Sequence, residues 1–213
     1  DNIPVKKIKI LKTKQDADLP EDTAKAFLVN NGFYEIINSP FTEGENKNSI
    51  SIDNPLDKTK KFLRTDISQS LLENLLYNER RQKDSIKLFE VSDIYSLNQD
   101  KVTVTKKISI IASGRVGKNF NDFSKKIDVK FMKNLFKDFL SDIDYDFKNI
   151  SRELLDTKSK SEIVYLEIDL EEFRKNNLKY KDKFLPPKEF IKYKPISEFP
   201  SSYRDISYLI KDS

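Results

Sequence analysis

The chain has 213 residues, of which 37% are hydrophobic and 35% charged, and its 39 lysines and arginines stand against 35 aspartates and glutamates. With no cysteine and no histidine, disulfides, thiolate nucleophiles, zinc ribbons, Ser-His and Cys-His constellations and imidazole metal sites are excluded, so any chemistry rests on carboxylates, Lys, Arg, Tyr or an external metal. The interspersed charges read as a solvated Lys-rich surface rather than a nucleic-acid footprint. No apolar run reaches the ~18–20 residues of a membrane span and no signal peptide opens the chain, so a cytoplasmic protein with no membrane partner is expected.

Residues 5–12 (VKKIKILK) alternate apolar and cationic side chains and predict a half-exposed strand. Pro20 opens a helix over 21–31 with Ala24, Phe27 and Leu28 on one side, and Gly32 stands where a left-handed cap ends it. FYEIINSPF (33–41) predicts one strand that stops at or just after Pro40. After a polar loop, SISID (49–53) predicts a short strand and Asn54-Pro55 a turn. From Thr65 or Asp66, either able to accept amide hydrogen bonds, a helix runs to about Arg81 with Ile67, Leu71, Leu72, Leu75 and Leu76 as its buried stripe.

Residues 86–97 and 106–114 read as strands joined through a polar tip at Asn98 to Lys101, an antiparallel hairpin. Ile127 to Leu140 predicts a helix with Asp128 near its positive end and an apolar face from Val129 to Phe139. Strands at 145–150 and 163–170, a short helix at 171–176 and a loop holding Pro186-Pro187 complete the body. Hairpins without a regular crossover unit predict an α+β fold with an antiparallel sheet. The last stretch, 193–210, reads as a linker and the opening strand of another domain. A chain opening on Asp1 is expected to be a piece of something longer.

Candidate chemistry is sparse. The four glycines stand at 32, 44, 114 and 117, and Gly114-Arg115-Val116-Gly117 reads as a strand-exit turn rather than a nucleotide loop, since no helix start follows it. Asp142, Asp144 and Asp146 alternate but lack the glycine and distal glutamate of a calcium loop, and read as a solvated acidic edge. Arg80, Arg81 and Lys83 complement the negative end of the long helix.

Three segments resemble the β subunit of bacterial phenylalanyl-tRNA synthetase. They are GFYEIINSPF (32–41); the run from IDNPLDKTKKFLRTDISQSLLENLLYNERR to KLFEVSDIYS (52–96), with its Asn-Pro-Leu turn and Leu-Arg-Thr helix start; and YKPISEFPSSYRDISYLI (193–210). DNIP (1–4) resembles the exit from that family's winged-helix-like domain. The resemblance implies residues 1–19 as a strand and linker from a preceding domain. Residues 20–192 form a class II aminoacyl-tRNA synthetase-like catalytic-domain fold without an active site, with helices flanking the sheet. Residues 193–213 lead into a ferredoxin-like anticodon-binding domain.

It further implies a non-catalytic module with no cofactor of its own, inside an α2β2 holoenzyme that joins phenylalanine to tRNA(Phe) with ATP and magnesium. Ser96 falls where the class II ATP-clamping arginine is expected, and a hydroxyl supplies no planar cation. The first helix is expected at the interface with the α subunit, with Ala24, Phe27, Leu28 and Asn31 as interface candidates; for Phe27 and Leu28 a core position is equally open. Rival readings are a stand-alone RNA-binding module with a Lys-rich surface and a self-sufficient class II ligase.

Overall fold

The computed structural model describes residues 20–176 except Asp100, Lys118 and Phe120, together with Tyr180, Pro195, Phe199, Arg204 and Ile206. Two compact units divide the chain, 1–183 and 184–213, and the elements below belong to the first. The strand expected at 5–12, the proline pair at 186–187 and, but for four residues, the segment 193–213 lie outside the described residues.

Helix α1 (Pro20–Asn30) starts on a proline, whose missing N–H costs nothing in a first turn. It stops at Gly32, which takes φ +78° while Phe33 N–H donates to the Leu28 carbonyl at 3.0 Å. The strand expected over 33–41 is much shorter. Tyr34–Glu35 pairs as β1, parallel to a later strand, and Phe41 at the far end of the stretch belongs to a separate strand. The ladder then gives way to side-chain bonding, because Asn38 turns its amide to Glu90 Oε2 at 2.7 Å, and Pro40 has no N–H to continue it.

Strands β2 (Phe41–Thr42), β3 (Ile50–Ser51) and β4 (Phe62–Leu63) form a small antiparallel sheet in the order β2-β4-β3. Helix α2 (Ser68–Arg80) follows, its first N–H bonded to the Asp66 carboxylate at 3.0 Å. Ile67, Leu71 and Leu75 are fully buried, whereas Leu72 and Leu76 are half-buried on the flank of the stripe.

Strands β5 (Ser85–Asn98) and β6 (Lys101–Gly114) pair along their whole length, so β6 starts five residues before the expected 106. Helix α3 (Val129–Phe136) is capped by Asp128, which accepts from Phe131 N–H at 2.6 Å, and is shorter than expected because the chain breaks into turns after Phe136. Those turns expose Asp142, Asp144 and Asp146 and bury Ile143 and Phe147, so the acids sit on a loop and not on a strand edge. Strands β7 (Lys148–Asn149) and β8 (Ile163–Asp169) and helix α4 (Leu170–Lys175) complete the order.

The main sheet runs β1-β5-β6-β8-β7, antiparallel throughout except for the β1–β5 pair. The expected antiparallel sheet thus carries one parallel edge. Alternation along each strand sorts its side chains. One face sends Ile86, Leu88, Ile111, Ile163 and Tyr165 against α2. The other packs Phe89, Ile108, Ile110, Val164 and Leu166 against α1, α3 and α4.

Candidate functional site

The sheet face beneath α2 changes from apolar to polar along its strands. Glu90 on β5 stands opposite Ser109 on β6, and Ser109 opposite Glu167 on β8, which lays two carboxylates and a hydroxyl in one row across the sheet. Glu90 has no exposed surface. Its Oε1 accepts from Arg64 Nη1 at 2.8 Å and from Ser92 Oγ at 2.7 Å, and its Oε2 from the Asn38 amide, which itself accepts from Asn74 Nδ2 at 2.7 Å. Arg64, also buried, spends its Nε on the Asp93 carbonyl at 3.1 Å.

The second carboxylate is equally engaged. Glu167 accepts from Lys107 Nζ, from the Tyr165 hydroxyl at 2.7 Å and from Ser109 Oγ at 3.2 Å. Burial by itself would raise the Glu167 pKa, but the Lys107 ammonium and the Tyr165 hydroxyl outweigh it and hold the carboxyl below its ordinary range. Burial, with the carboxylate beside it, pushes the Tyr165 phenol well above its ordinary value. At the sheet margin Arg152 reaches Glu79 with two nitrogens, at 2.7 and 3.0 Å. Burial opposes ionisation of Glu79 too, and Arg152 with Thr157 reverses the balance, leaving that carboxyl below its usual range. The cations of this band are therefore each bound to a carboxylate. Among the described residues no group of three acids could hold a metal ion.

Ser96 lies further along β5, on the same face as Glu90 and opposite Thr103, six residues on and so ~20 Å away. It is half-buried on the hairpin arm, where sequence reasoning set it apart. Ala24, Phe27 and Leu28 are taken up by this chain's own core. Phe27 stacks on Phe139 with centroids 3.9 Å apart and meets Phe136 edge-on at 5.1 Å. Asn31 returns its amide to the Phe27 carbonyl at 2.8 Å. These four do not form a free surface patch: Phe27 and Leu28 take the core position left open for them, and Ala24 is buried with them.

What α1 and β1 do present outward went unread in the sequence. Val29 on α1 is 57% exposed, Tyr34 on the edge strand β1 72%, Ile37 just beyond β1 91% and Phe41 on β2 44%. The ion pair from Lys25 to Glu35 at 2.8 Å ties α1 to β1 there, and Lys25 also pairs with Glu21 within the helix at 3.0 Å. The available signal was Ile37, an isoleucine between Ile36 and Asn38 that no neighbouring strand had to cover.

The sequence model of the family described as phenylalanyl tRNA synthetase beta chain CLM domain matches residues 3–167. The chain is similar to the phenylalanine–tRNA ligase beta subunit of Buchnera aphidicola subsp. Schizaphis graminum, 26% identical over 89% of this chain and 27% of that protein. It is likewise similar to that of Wigglesworthia glossinidia brevipalpis, 28% identical over 99% of this chain and 30% of that protein. The chloroplastic beta subunit of Pyropia yezoensis is 22% identical, over 89% of this chain and 30% of that protein. The chain thus spans less than a third of the length of these curated relatives. In fold it is similar to a pyrrolysyl tRNA synthetase of Desulfitobacterium hafniense, with a TM-score of 0.50 and 14% identity over 75% of this chain and 65% of that one.

Proposed function

Because the chain belongs to the family of phenylalanyl-tRNA synthetase beta chain CLM domains, we propose that it is the structural and subunit-interaction module of a phenylalanine–tRNA ligase β subunit, non-catalytic in itself. The parent holoenzyme joins phenylalanine to tRNA(Phe) with ATP and magnesium in the cytoplasm, as an α2β2 assembly. The family match sets aside a stand-alone RNA-binding module. Residues 1–19 lead in from a preceding domain, residues 20–192 make up the module, and residues 193–213 lead on to an anticodon-binding domain.

The observation that carries this reading is the exposed apolar edge. Tyr34 on the edge strand β1, Val29 at the end of α1 and Ile37 just beyond β1 offer apolar side chains to water, which supports reading this part of the chain as an interaction surface. The α subunit is the partner this edge suits. Ala24, Phe27 and Leu28 serve that interface indirectly, by fixing α1 on the core beneath it.

Two features support a holding rather than a ligating role. Arg64 and Lys107 are bound to carboxylates, so neither is free to grip a triphosphate. At the position of the expected clamp, Ser96 offers a neutral hydroxyl. Co-purification with the α subunit tests the proposal: the wild-type chain is retained, and a folded Ile37→Asp variant is lost. A wild-type chain that does not associate would refute it.

A further inference from the structure

A cavity of about 490 Å³ opens where the hairpin base meets the end of α2, bordered by Glu79 at the margin of the polar band. Its walls carry four cations, Lys83, Arg115, Lys126 and Lys160, against two carboxylates, Glu79 and Asp84. Both carboxylates are engaged by arginines: Glu79 by Arg152 at 2.7 Å, and Asp84 by Arg115 Nε at 3.6 Å. The three lysines are exposed, and among the described residues no hydrogen bond or ion pair engages their ammonium groups. Like charges gathered around one concavity repel one another, and a multiply charged anion seated between them removes that repulsion.

The rim has further features. Arg115 lies over the Phe123 ring at 4.0 Å and donates to the Phe123 carbonyl, so its cation is held in place beside a ring that is 51% exposed. Ser159 and Ser161 add hydroxyl-bearing walls. The volume falls within the range of small-ligand sites.

We propose that this cavity is a phosphate-binding site. A singly charged carboxylate would neutralise one ammonium. A phosphate offers several acceptor oxygens and up to two charges, and flexible lysines engage it as point charges without the planar fork that carboxylate recognition favours. The phosphate comes either as a free anion, with up to two charges on one group, or as successive phosphodiesters of an RNA strand, each singly charged, whose bases would find Phe123 at the rim.

The test compares the 213-residue chain, the variant Lys83→Gln/Lys126→Gln/Lys160→Gln and a charge-matched control, Lys130→Gln/Lys137→Gln/Lys148→Gln, whose lysines are exposed elsewhere. Unchanged melting temperatures establish that the variants fold. Inorganic phosphate is titrated with amide chemical shifts as readout, and a short fluorescein-labelled single-stranded RNA with anisotropy. Phosphate-induced shifts at cavity residues, lost in the cavity variant alone, assign the free anion. RNA binding weakened by about tenfold or more in the cavity variant but not in the control, with the salt slope reduced by roughly 0.7 per lost contact, assigns the strand. Neither response, or an equal loss in both variants, overturns the proposal.

Discussion

Arg64 and Glu90 form an ion pair with Nη1 and Oε1 2.8 Å apart and almost no exposed side-chain surface, which ties the end of β4 to the middle of β5. Taking two charges out of water costs several kcal/mol per ion unless every lone pair and proton finds a partner. Here Ser92, Asn38 and the Asp93 carbonyl supply the remaining partners. The pair therefore fixes the small sheet on the large one, and it commits a guanidinium on the face beneath α2.

Removing only the cation leaves a carboxylate buried and unmatched. Arg64→Met is expected to destabilise the chain by about 3–5 kcal/mol, measured by urea denaturation. Arg64→Met/Glu90→Gln should recover part of that loss, since the uncompensated charge is gone.

Phe27 and Ile37 should respond in opposite ways. Phe27→Ala removes a ring that stacks on Phe139 in the core, and a loss of about 3–5 kcal/mol is expected. Ile37→Ala, at a side chain 91% exposed, should stay within ~0.5 kcal/mol. Thermal or chemical unfolding of the two variants checks the assignment of Phe27 to the core and Ile37 to the surface.

Gly114 ends β6 at φ +94°, and a Cβ built there would lie 2.0 Å from the Asp84 carbonyl oxygen. The neighbour is backbone and has no room to yield. Gly114→Ala should cost well over ~1 kcal/mol in unfolding free energy, whereas the same change at Gly44, where the nearest atom would be 3.9 Å away, should be mild.

Acid and alkali should act through different groups. Glu167 and Glu79 have folded-state pKa values below the ordinary glutamate range. The unfolded chain therefore binds their protons first, at about pH 4.3. Their contribution is present above that pH and is lost as pH falls through the lower folded-state values. Tyr165 is shifted the other way, so its contribution is present below about pH 10 and is lost as pH rises beyond it. Denaturation midpoints across pH should fall at both ends, and Tyr165→Phe should flatten the alkaline limb and, by removing a donor to the Glu167 carboxylate, weaken the acid limb as well.

The periodic elements were legible from residues alone. The leucines of α2 repeat at helical spacing, and 86–97 with 106–114 alternate like paired strands, so helix and hairpin stand where expected. The earlier start of β6 was also readable, since Val102, Thr103, Val104 and Thr105 are β-branched in succession. Strand β4 was not, because two residues flanked by Lys61 and Arg64 carry no period. The parallel placement of β1 and the Arg64–Glu90 pair join segments far apart in sequence, and nothing local announces such a partner. Of the candidate site residues, Ser96 came from family resemblance. The apolar edge became visible once the core had claimed Phe27 and Leu28 and left Val29, Tyr34 and Ile37 outside.

The proposal is a module whose Arg64 and Lys107 are committed to carboxylates, so that it holds a partner and does not ligate. Phenylalanine-dependent ATP–pyrophosphate exchange by the purified chain, with and without the α subunit, tests this most directly. The account predicts no exchange by the chain alone and exchange once the α subunit is supplied. Exchange by the chain alone, abolished by Arg64→Met or Lys107→Met in a protein that remains folded, would contradict it.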